Sequence, residues 1–162
     1  MIAPAAPRPD DVQRLHEALG RLPEAAAVED GSAAAFVAAA RTALSLGRPD
    51  DAVDLGRAAL ALAPDDARAW SVVGDALWMQ GRAAEAREAL EEAVAHDDKD
   101  LTVAVACARA QAATGAATAA RALLTFVLTR THSPDLRESA VALLDALGGE
   151  HPPASSAVGG GR

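Results

Sequence analysis

The chain carries few side chains capable of covalent or metal chemistry, and they stand apart. His16, His96, His132 and His151 are far from one another, and none has a second ligand at the i, i+4 spacing by which a helix offers two groups to one metal ion. Cys107 is the single cysteine, so an internal disulfide and a multi-cysteine metal site are both excluded, and no base is in evidence to make it a nucleophile. The paired carboxylates Asp50 and Asp51, Asp65 and Asp66, Glu91 and Glu92, and Asp97 and Asp98 fall at expected helix starts or on outward faces. There the helix dipole and water favour solvated surface charge over general acid and base roles. The glycines of the C-terminal tail lack the lysine and the strand-to-helix context of a phosphate loop. The expectation is a protein that is not an enzyme and holds no metal and no cofactor.

The elements that would position any binding residues follow from a repeat. Gly47, Gly81 and Gly115 lie 34 residues apart, as do Ala52, Ala86 and Ala120, which divides the chain into blocks 33–66, 67–100 and 101–134 without insertion or deletion. Each block splits into two amphipathic helical patterns that break at the glycine, where a residue following a helix end often needs positive φ. Small residues at Ala40, Gly74 and Ala108 in the first helices, and at Ala52, Ala86 and Ala120 in the second, allow each pair to cross closely. Ser133 and Pro134 then suit an N-cap and first helical position, and Leu136, Ala140, Leu143, Leu144 and Leu147 form the stripe of a capping helix over 135–147. Residues 1–31 are expected to be an extension in which Asp10 could cap a short helix carrying Val12, Leu15 and Leu19; that helix would cap the stack or pair two copies as a homodimer. The tail 148–162 has no apolar periodicity and is expected to be disordered.

Trp70, Val73, Gly74, Leu77, Gly81, Ala86, Leu90 and Ala93 of the middle block occupy the spaced positions that define a tetratricopeptide repeat, and the block resembles that family closely. The first block keeps Phe36, Ala40, Gly47, Ala52 and Ala59, and the third keeps Ala108, Gly115, Ala120 and Leu124. The proline that usually closes the repeat is present as Pro64 and replaced by Asp98 and His132 in the later blocks. The resemblance implies an all-α fold, an α-solenoid of three helix pairs with an N-terminal helix and a C-terminal capping helix. It also places Cys107 where the repeat usually has a buried leucine, as a small core residue.

In this family the first helix of each pair lines a concave channel. The resemblance carries its channel positions onto Ala34, Val37, Arg41 and Leu44, onto Arg68, Ser71, Asp75 and Trp78, and onto Thr102, Val105, Arg109 and Ala112. Three arginines and one aspartate give this set a charge of +2, whereas the outer helices carry Asp54, Glu85, Glu88, Glu91 and Glu92. The implied function is protein–protein interaction, as an adaptor or assembly scaffold. Its partner would be a protein or peptide segment with apolar anchors and acidic residues, held by arginine forks and packed on Trp78. Trp78 could instead seal adjacent repeats, and the arginines could balance nearby acids. Relatives that grip acidic chaperone tails use a basic and amide set whose places here hold Val37, Arg41, Val72, Thr102 and Ala106. Only Arg41 could substitute. An alternative comes from the architecture over residues 10–147, which resembles the translocator chaperones of bacterial type III secretion.

Composition narrows the class further. The 162 residues include 44 alanines but only two tryptophans, two phenylalanines and no tyrosine, which favours closely packed helices over a sheet. A net charge of −8 without any basic run argues against nucleic acid and acidic membranes as partners. No uncharged apolar run approaches the length of a membrane span, and the start lacks the pattern of a secretion signal. With its lone cysteine the chain suits a cytoplasmic protein, and fourteen arginines against one lysine resemble the usage of GC-rich bacteria.

Overall fold

The computed structural model describes residues 32–148, which contain seven α-helices and no strand. They are α1 (Ala33–Ser45), α2 (Pro49–Leu62), α3 (Ala67–Met79), α4 (Ala83–His96), α5 (Leu101–Ala113), α6 (Ala117–Arg130) and α7 (Pro134–Ala146). The expected N-terminal helix with Val12, Leu15 and Leu19, and nearly all of the tail, lie outside the described residues.

Helix starts and stops repeat with the sequence. The odd-numbered helices begin on short polar side chains that satisfy otherwise unpaired N–H groups: Ser32 accepts from Ala35 N, Asp66 from Arg68 N, Asp100 from Thr102 N and Val103 N, and Ser133 from Leu136 N. Three of them end in one turn. Gly47, Gly81 and Gly115 stand at φ +69°, +75° and +81°, where a residue with a Cβ would be strained. The amide of each glycine returns to the carbonyl three residues back (Leu44, Trp78, Ala112), and the next amide to the carbonyl five back (Ala43, Leu77, Gln111), at 2.8–3.2 Å. This is the Schellman arrangement, and it turns the chain directly into α2, α4 and α6, none of which has a side-chain cap.

Each helix packs on the next, and α1, α3, α5 and α7 also touch in succession, so the pairs stack as a solenoid with one face built from the odd helices. Close approach is what the small residues permit. Ala40, Ala52, Ala86, Ala108 and Ala120 have no exposed surface. A Cβ on Gly74 would fall 2.5 Å from Leu90 Cγ. Gly56, in α2, stands where the later repeats have Leu90 and Leu124, and Val73 Cγ2 fills the space, 2.5 Å from where a Cβ would lie. Trp70 is half-buried against the first core cluster and donates its indole N–H to the Pro64 carbonyl at 2.8 Å, tying α3 to the loop before it.

The register changes once. Loop 97–100 joins α4 to α5, but 131–133 joins α6 to α7, one residue fewer. Helix α7 thus repeats α5 after 33 residues rather than 34, and Val141 takes the place of Ala40, Gly74 and Ala108. Ala140 and Leu144 are buried against α5 and α6, while Leu136, Leu143 and Leu147 are partly covered.

Candidate functional site

Helices α1, α3, α5 and α7 together border an open groove of about 560 Å³. Seven of the expected site residues line it: Arg41 and Leu44 from α1, Ser71 and Asp75 from α3, and Thr102, Val105 and Arg109 from α5. Three others are placed differently. Val37 is only 5% exposed and belongs to the core. Arg68 folds back on its own helix start, its Nε and Nη2 donating to the two Asp66 carboxylate oxygens at 3.0 and 2.9 Å. Trp78 is half-buried, packs against the core clusters on either side of it, and lies under the Arg109 guanidinium, 4.8 Å from the ring centre.

The charge balance also differs from the count of +2. Arg68 is neutralised by Asp66, and Asp100 joins the wall, so the groove holds Arg41 and Arg109 against Asp75 and Asp100. These charges are not equally committed. Asp100 already accepts two backbone N–H groups at the start of α5, at 3.0 and 3.2 Å. The Arg68 bond holds the Asp66 carboxyl below its ordinary range. Asp75 behaves oppositely: burial pushes its carboxyl up, against the pull of Arg109 and Arg41, and among the described residues it has no hydrogen bond or ion pair within contact distance. Arg41 is exposed and makes no ion pair among the described residues.

Channel positions alone do not mark Asp100, Val72, Val103, Ala106, Leu136 and Ser139 as lining residues. The recurrence of Ser32, Asp66 and Asp100 at 34-residue spacing is the available signal for Asp100. For Leu136 and Ser139 it is that α7 is a further odd helix of the same series.

Elsewhere among the described residues, Cys107 and His96 lie outside the groove lining. Cys107 is 1% exposed, and burial pushes its thiol up to about 12, which keeps it protonated at neutral pH. His96 Nε2 lies 3.9 Å from Asp65 Oδ1 and 3.8 Å from Glu92 Oε2, and no cluster of three or more potential metal ligands occurs among the described residues. Asp51, expected as solvated surface, is buried and paired with Arg48 at the start of α2. No helix among the described residues is long and apolar enough to cross a membrane.

Stacked helix pairs with a groove along their odd helices define a helical-repeat fold. Two tetratricopeptide repeat family models match the chain, over residues 37–100 and 77–134, and the chain belongs to the tetratricopeptide repeat family. No curated protein matches it. Among solved structures it is similar to TTC0263, a thermophilic repeat protein of this family from Thermus thermophilus, with TM-score 0.66 and 21% identity, covering 85% of this chain and 76% of that one. It is similar to the type III secretion chaperone SycD of Yersinia enterocolitica in complex with a peptide of the translocator YopD, with TM-score 0.63, 18% identity, and coverage of 70% and 89%. It is also similar to the first repeat domain of Spaghetti (RPAP3) bound to the HSP90 peptide SRMEEVD, with TM-score 0.65, 16% identity, and coverage of 73% and 97%. At these identities the likeness is one of fold.

Proposed function

We propose that the protein is a non-enzymatic interaction module that holds a peptide or an extended segment of a partner protein in the groove of its odd helices, as an adaptor or assembly scaffold. The observation that carries this reading is a groove with two arginines and a half-buried carboxylate that has no protein hydrogen-bond partner among the described residues. Folding leaves such groups poorly satisfied when their use lies in a complex. Similar folds that hold peptides, SycD with its YopD peptide and the RPAP3 domain with its HSP90 peptide, support it by analogy. The test is affinity capture comparing the intact protein with an Arg41→Ala, Arg109→Ala double variant, each checked by circular dichroism for unchanged helix content. Partners retained by the intact protein and lost by the variant are expected; identical retention would move the binding surface to the acidic even helices.

A second reading, a cytoplasmic chaperone of a bacterial secretion substrate, is favoured by the likeness to SycD, which spans 89% of that protein. It predicts that the partner is kept soluble at one to one on co-expression, whereas a scaffold would bridge two partners.

A further inference from the structure

Arg41, Asp75 and Arg109 recur at 34-residue spacing, one on each of α1, α3 and α5, so the groove carries a row of positive, negative and positive charge across three touching helices. All three line the same groove. Arg41 has no ion pair among the described residues. Arg109 places its guanidinium carbon 4.8 Å from the Trp78 ring centre and makes no ion pair among the described residues, so its N–H groups can serve a carboxylate. Asp75 is half-buried with no donor, whereas the other acid facing it in the groove, Asp100, is used by the α5 backbone. Three charges of alternating sign therefore stand on successive odd helices around one groove.

Packed helices lie about 8–10 Å apart, and a polyproline-II segment advances about 9 Å per three-residue turn, returning every third side chain to the same face. A segment crossing the odd helices can thus address one of them with every third residue. We propose that the groove selects an extended segment in which a basic side chain stands about three residues from an acidic one on either side, the base seated on Asp75 and the acids on Arg41 and Arg109. This rests on the groove being the binding surface. It gives Asp75 the role of a specificity determinant: it rejects a purely acidic segment, whose central carboxylate would meet a half-buried carboxylate, and admits one of alternating charge.

The experiment is selection from a random library of ten-residue peptides displayed on phage, run in parallel on the intact protein and on Asp75→Asn, Asp75→Arg, Arg41→Ala and Arg109→Ala. The intact protein is expected to enrich acid, base and acid at three-residue spacing. Asp75→Asn should lose the central base preference by about tenfold while keeping the flanking acids, and Asp75→Arg should select an acid in the centre. If the acidic positions depend on Arg41 and Arg109 but the central position is indifferent in the intact protein or unchanged in Asp75→Asn, this proposal is overturned and the groove reading stands. If no peptide is enriched, or the same peptides are enriched on every variant, the groove reading falls and this one with it.

Discussion

Gly74 tests whether the repeat is held together by steric fit or by helix propensity, because the two act there with opposite sign. Replacing an interior helical glycine by alanine is favourable by about 1 kcal/mol when nothing opposes it. Here the new Cβ would lie 2.5 Å from Leu90 Cγ and 2.8 Å from Cδ2, whereas ordinary contact begins near 3.4 Å. Leu90 is 1% exposed and its Cγ is a branch point, so relief requires moving α4 against α3 rather than turning a side-chain tip. Overpacking of this kind costs about 1–3 kcal/mol, which leaves Gly74→Ala destabilising by up to about 2 kcal/mol. Leu90→Ala alone should cost about 2–5 kcal/mol through lost transfer energy and a cavity. In that background the obstruction is gone, and Gly74→Ala should become stabilising by about 1 kcal/mol. Urea unfolding of the four proteins, followed by circular dichroism, closes the cycle and should give a coupling of about 1–3 kcal/mol. Effects that add to within about 0.5 kcal/mol, or a stabilising Gly74→Ala in the parent, would refute the claim that this glycine exists to admit Leu90.

Gly81→Ala separates a different cause: nothing lies within 4 Å of its added Cβ, yet φ is +75°, so thermal unfolding should show a loss of about 1–2 kcal/mol that no neighbouring truncation restores. Trp78→Ala should cost about 2 kcal/mol or more of stability, since the ring packs against two core clusters; unchanged stability with weakened peptide binding would assign it to the groove alone. Asp75→Asn should raise stability at neutral pH, because the raised carboxyl pKa means that ionising Asp75 costs more folded than unfolded. The penalty is complete above that raised value and vanishes as the pH falls below the ordinary 3.8, so chemical denaturation at pH 7 and at pH 3 should show the gain only at pH 7.

The repeat is legible in the sequence because its spacing is imposed by backbone geometry. A glycine at positive φ in each turn and a small residue at each helix crossing leave marks at fixed intervals, and Gly47, Gly81, Gly115 and Ala52, Ala86, Ala120 supply them. The Ser133 and Pro134 start of α7 can be read for the same reason, since capping is local chemistry. The groove is less legible because lining is decided by rotation and partnership. Val37 occupies a channel position of the family, but its helix turns it into a core it shares with Ala40 and Ala43. Arg68 has the charge of a binding residue but lies two residues after a carboxylate that takes the Nε–Nη2 edge of its guanidinium. Gly56 leaves no mark in the spacing because its role is visible only from Val73, across the interface to the next pair.

The buried core is divided along the stack, and this bears on what binding would do. The first two helix pairs share one continuous core from Val37 to Ala89, and the third pair shares another with α7. Between them, at the seam between α4 and α5, lies a small cluster of Leu90, Cys107 and Ala110, fringed by partly buried residues. Beside it lies a polar set in which Gln111 donates to Glu91 at 3.0 Å and Arg87 to Thr114 at 3.3 Å, while Arg87 Nε and Gln111 Oε1 have no hydrogen-bond partner among the described residues. Small side chains and a polar set at the division between two cores are expected to give a weaker neighbour term in a linear array, so opening should begin at this seam. Cys107 reports it directly: at 1% exposure it reacts with a thiol reagent only when α5 lifts from α4. Its labelling should be faster than global unfolding allows, and hydrogen exchange should show α5 to α7 losing protection before α1 to α4. Equal exchange in all helices, or Cys107 labelling only at the global rate, would refute the two-part stack. The groove crosses this seam, with Arg41, Ser71 and Asp75 on one side and Thr102, Val105 and Arg109 on the other. A peptide gripping both sides must therefore slow Cys107 labelling in proportion to its occupancy, which turns the lone thiol into a gauge of binding as well as of stability.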